Sequence, residues 1–102
     1  MKITVICRVE PGCLGPDGAN HVEKFCLLAQ KEFDKLEPDQ VKWQIIPRFD
    51  KDKPEIQYKL NDQYLTEDQS NVYLKALKKD PDQFEESLFK QLTESVNHYF
   101  GR

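Results

Sequence analysis

The sequence predicts one α+β domain over residues 1–102, with elements in the order βαβββαα around a mixed three- to four-stranded sheet. Three observations carry that reading. KITVICRV and VKWQIIPRF alternate with the two-residue period of strands. The segment between them repeats apolar residues at helical spacing. The C-terminal third carries two helix-start signatures, TEDQ and DPDQ.

In the first strand Ile3, Val5, Cys7 and Val9 take one side and Lys2, Thr4, Ile6 and Arg8 the other, which puts Cys7 among the apolar residues. A loop holding three of the four glycines follows. Asn20 with Glu23 then reads as a capping box, and Val22, Phe25, Cys26, Ala29, Phe33 and Leu36 form the stripe that a helix buries. Glu37-Pro38-Asp39 ends that helix, because proline has no amide to donate and disfavours helical geometry in the residue before it.

The second strand sets Val41, Trp43 and Ile45 against Lys42, Gln44 and Ile46. In the third, Ile56, Tyr58 and Leu60 alternate. Asn61-Asp62 tolerates the positive φ of a tight hairpin, and Gln63 to Leu65 return as a short fourth strand. Thr66 with Gln69 opens one helix; Asp80, Pro81 and Gln83 open the next. Their expected buried sides are Val72, Tyr73, Ala76 and Leu77 in the first, and Phe84, Leu88, Leu92, Val96 and Tyr99 in the second, which ends at Gly101.

A chain of this length buries roughly two-thirds of its unfolded surface and needs no cross-link to fold. Fifteen basic residues against 18 acidic give a net charge of −3, which argues against a dedicated nucleic-acid binder. The apolar run between Lys2 and Arg8 is too short for a signal segment or a membrane span, so the expected location is the cytoplasm, with no membrane contact. In that reducing compartment three cysteines serve packing or reactivity rather than a disulfide framework.

Cys13 is the candidate nucleophile, lying in the loop before a helix start, where partial positive charge favours a thiolate; Asp17 opposes that effect. A zinc site from Cys7, Cys13, His21 and Cys26 lacks the usual short ligand spacings, so no metal and no cofactor are expected. The glycines fit neither the Walker A pattern nor GxGxxG. Lys2, Arg8, Lys42, Arg48 and Lys59 fall on the outer side of the sheet with Ile6 and Ile46 between them. Such a face suits steering of an acidic partner or stacking on single-stranded nucleic acid; because Trp43 and Tyr58 fall on the opposite side, the favoured expectation is that it is partly covered by the C-terminal helices and otherwise solvated.

The element order, with Cys13-Leu14-Gly15-Pro16 after the first strand and Pro54 before the third, resembles the thioredoxin-like fold. The resemblance implies Cys13 as a reactive thiol, with Gly12, Gly15, Pro16 and Pro54 as binding positions and Pro54, if cis, shaping a substrate groove. Two departures stand beside it. Pro16 occupies the place of a resolving cysteine, and the connector Pro47 to Lys53 replaces the helix that the family has between strands two and three. So short a connector equally suits a direct hairpin or a ferredoxin-like split βαβ sheet.

With no complete catalytic motif, the sequence reads as a small non-catalytic binding or accessory protein that acts through protein–protein contacts. A monothiol thioredoxin-like oxidoreductase using Cys13 is the competing class. The partner is another protein, or a second copy joined through a sheet edge.

Overall fold

The computed structural model describes residues 2–102. Strand β1 (Ile3–Val9) leads through a 3-10 turn (Pro11–Leu14) into helix α1 (Gly18–Phe33), followed by β2 (Val41–Pro47), β3 (Ile56–Leu60), β4 (Gln63–Tyr64), α2 (Glu67–Ala76) and α3 (Pro81–Tyr99). The fold is α+β, with a mixed four-stranded sheet in the order β2-β1-β3-β4. β1 pairs parallel with β2, Ile3 opposite Val41, and antiparallel with β3, Val5 opposite Tyr58. The β3–β4 hairpin turns on Asn61 and Asp62, both at positive φ, as their short polar side chains allow.

One face of the sheet holds the core. Ile3, Val5, Cys7 and Val9 join Val41, Trp43, Ile45 and Tyr58 there, under Val22, Phe25, Cys26, Ala29 and Phe33 of α1, Leu74 of α2, and Phe84 and Leu88 of α3. Trp43 is central: it stacks on Phe84 at 5.8 Å, meets Phe33 edge-on at 5.1 Å, and donates its indole N–H to the Leu36 carbonyl at 2.9 Å. The indole is thus buried with its one polar group satisfied. His21 with Tyr99, 3.1 Å apart, and His98 with Glu32, 2.8 Å apart, tie α1 to α3.

Three sequence expectations change. Helix α1 starts at Gly18 behind Asp17, not at an Asn20 cap, because Gly18 N–H bonds the Gly15 carbonyl and the first turn packs against the Pro11 carbonyl where only glycine fits. Helix α2 is rotated from the expected face: Val72 is 65% exposed and Ala76 is exposed, while Ser70 and Leu74 are buried. Polar Ser70 hides this stripe in the sequence, and its hydroxyl donates to the Glu67 carbonyl at 2.9 Å, which makes its burial tolerable. Finally, all three helices pack into the core, so the C-terminal helices do not cover the outer face of the sheet, yet that face is not simply solvated either, because Ile6 and Arg8 at its centre are buried. No helix among the described residues is long and apolar enough to cross a membrane.

The caps of α2 and α3 form as expected, except that the Gln83 side chain does not bond back to the Asp80 N–H. Thr66 and Gln69 form a reciprocal capping box, and the Asp80 side chain accepts from the Gln83 N–H.

Candidate binding surface

Gly12, Cys13, Gly15 and Pro16 share one exposed turn between β1 and α1. Cys13 N–H donates to the Glu10 carbonyl at 3.0 Å and Gly15 N–H to the Gly12 carbonyl at 3.3 Å. Gly15 sits at φ +93°, a conformation that favours glycine. Cys13 belongs to the 3-10 turn; the residues Leu14 to Asp17 separate it from the start of α1.

Pro54 lies elsewhere, on the connector from β2 to β3. Every peptide bond among the described residues is trans, so the cis geometry that would shape a groove is not present. The Pro54 carbonyl instead accepts a 2.9 Å bond from Arg8 Nη1. Pro54 also lines a cleft of about 400 Å³ with Ile56, Gln57, Tyr58 and the acidic Glu67, Asp82 and Glu85; none of the other four candidates lines it.

The other two thiols are buried. Burial, with smaller contributions from Cys26, Glu55 and Cys13, pushes the Cys7 thiol from 9.0 up to about 12. Burial, then the nearby Glu23 charge, pushes Cys26 up to about 11. Both therefore stay protonated at neutral pH and are poor nucleophiles. His21, which the zinc reading required, is turned to Tyr99 instead. Among the described residues no three His, Cys, Asp or Glu side chains gather as a metal site needs.

The outer face of the sheet has a more specific pattern. Strand register arranges it in cross-sheet rows. Thr4 is flanked by Lys42 and Lys59, and Ile6 by Gln44 and Gln57; Arg8 lies beside Ile46 on the β2 side. Tyr64 of β4 extends the first row, with Lys59 Nζ 5.3 Å from its ring centre. Lys2 precedes this row on the same alternation and is exposed.

Arg8 stands out. It is only 6% exposed, yet no carboxylate among the described residues lies within ion-pair distance of it. Its Nη1 donates to the Pro54 carbonyl and, at 2.8 Å, to Gln57 Oε1. Nε and Nη2 have no acceptor among the described residues. The acids at that end of the sheet are engaged by other cations: Arg48 pairs with Glu10 at 3.4 Å and Glu55 at 3.8 Å, and Lys51 pairs with Glu10. Arg8 thus holds a nearly buried charge with no counter-ion among the described residues.

Sequence alternation places Arg8, Lys42, Lys59, Ile6 and Ile46 on one face, as the structure does. It does not reveal the isolation of the Arg8 charge, because the groups that hold it, Pro54 and Gln57, are 46 and 49 residues away. No known protein family, curated protein or solved structure matches the chain.

Proposed function

We propose that this chain is a small binding or accessory protein that acts through protein–protein contacts, with the outer face of β1, β2 and β3 as its contact surface. The observation that carries the proposal is the one-sided packing: every helix enters the core on one face, and on the opposite face Ile6 and Arg8, 2% and 6% exposed, lie beneath their strand neighbours, which leaves Lys42, Gln44, Ile46, Lys59 and Tyr64 as its accessible members. A sheet face with no helix on it is available to a second protein layer. Its apolar content is modest, Ile46 at 39% and Tyr64 at 54% exposure, which suits a reversible contact better than an obligate interface.

For the finer fold we infer a thioredoxin-like arrangement. Two pairings support it: β3 lies beside β1, unlike the direct hairpin that the short connector also allowed, and β1 lies beside β2, unlike a split βαβ unit. Cytoplasmic residence agrees with three free thiols. A redox role has one observation behind it, the exposure of Cys13; against it, the two other thiols are deeply protonated and Pro54 is trans.

The test is site-specific photo-crosslinking in the native cell. A photoreactive side chain at Gln44 is expected to give a discrete adduct, absent when the same group replaces Leu27 on the exposed side of α1. Identical labelling from both positions, or none from Gln44, overturns the proposal.

A further inference from the structure

We infer that the occupant of the outer sheet face is an acidic protein segment, held by Lys42 and Lys59 at one end and by Arg8 at the other; this rests on the binding reading above. Charge complementarity is the argument. The chain carries a net charge of −3, yet the face gathers Lys2, Lys42, Lys59 and Arg8 among neutral neighbours such as Thr4, Gln44, Gln57, Ile46 and Tyr64. Acids enter at the Arg8 end, where Glu55, whose carbonyl accepts from Arg8 N–H at 2.7 Å, and Glu10 have their carboxylates taken up by Arg48 and Lys51. A second copy docked face to face would set like charges against each other, so self-pairing of this surface is opposed.

Arg8 is the independent observation. A nearly buried guanidinium with open Nε and Nη2 donors matches a carboxylate, which accepts two parallel N–H bonds and supplies the missing counter-charge. Lys42 and Lys59 flank Thr4, four residues before Arg8 on β1, so the two cationic centres lie about 13 Å apart along the strand. An extended segment with carboxylates four residues apart spans that distance. Between them the Gln44 and Gln57 side chains offer amide groups to its backbone. Single-stranded nucleic acid is the less favoured anion: Tyr64 is the one aromatic side chain in these rows, and base binding uses successive stacking platforms.

The experiment is fluorescence anisotropy with a short labelled poly-L-glutamate, beside an oligo-dT of matched charge. Binding of poly-L-glutamate is expected at about 50 mM salt and should fall severalfold by about 300 mM. The double variant Lys42→Glu/Lys59→Glu should lose about tenfold or more, and Arg8→Gln should also weaken binding. The lysine pair keeps the test decisive if Arg8→Gln does not fold. No binding by the wild type at low salt, undiminished binding by the lysine variant, or tighter binding of oligo-dT each overturns the inference. Mapping the Gln44 crosslink separates the two proposals: a partner attached through a neutral or basic segment leaves the binding reading standing and removes this one.

Discussion

Gln30 of α1 hydrogen-bonds the free edge of β2 at Trp43: its Nε2 donates to the Trp43 carbonyl at 2.8 Å, while its Oε1 accepts from Ile45 N–H at 2.8 Å. One side-chain amide thus does what the backbone of a further strand would do at the middle of an outer strand, and Asp34 steadies it by accepting from Nε2 at 2.7 Å.

Gln30→Ala removes both bonds and leaves an unpaired carbonyl and amide on an apolar edge strand. The expected loss is about 1–3 kcal/mol of unfolding free energy, with concentration-dependent association by sedimentation. A variant that stays monomeric and melts like the wild type would show that the amide contributes nothing to edge protection.

The glycine turn offers a graded series. Gly18→Ala drives a methyl into the Pro11 carbonyl and should destabilise by about 1–3 kcal/mol or more. Gly15→Ala, at φ +93°, should lose about 1–2 kcal/mol, and Gly12→Ala, with open space around it, close to nothing. Urea midpoints for the three variants check the order; Gly12→Ala as the worst of them would contradict this packing.

Alkaline pH should unfold the protein through its buried acids. The folded Cys7 and Cys26 thiols ionise near 12 and 11 against an ordinary 9.0, and burial, with Glu85 nearby, raises Tyr58 as well. Above about pH 9 the unfolded chain sheds protons that the folded chain retains, so this stability is fully present below pH 9 and declines toward pH 12. Denaturation midpoints across that range should fall steadily, and Cys7→Ala, although weaker at pH 7, should show a shallower alkaline slope. A flat profile to pH 11 would refute the burial argument.

Thiol labelling distinguishes the three cysteines. Cys13 is exposed and Cys7 and Cys26 are buried, so a chromogenic disulfide reagent should titrate one thiol per native chain and three after denaturation. Cys13→Ser should abolish the fast phase and leave stability within about 0.5 kcal/mol. Rapid reaction of two thiols in the native protein would mean that the core opens readily around Cys26.

The strands and the inner stripe of α1 are readable from sequence because each rests on a local period: Ile3 to Val9 and Val41 to Ile45 at two, Val22 to Phe33 at helical spacing. Caps at Thr66 and Asp80 are readable for the same reason, each involving residues three apart. What escapes is whatever depends on distant partners. The first turn of α1 depends on contact between Gly18 and Pro11, and the orientation of α2 on a polar residue at a buried position. The same holds at the surface. Alternation puts Arg8 outside the core, but only the fold brings Pro54 and Gln57 over its guanidinium and commits the neighbouring acids to Arg48 and Lys51.

The central place of β1 has a consequence for biogenesis. Ile3 waits for Val41, and Val5 for Tyr58, so the most apolar strand leaves the ribosome well before either neighbour exists. Until the polypeptide has grown past residue 47 that strand is an oily ribbon with no neighbour at all, and until residue 60 one of its edges stays open.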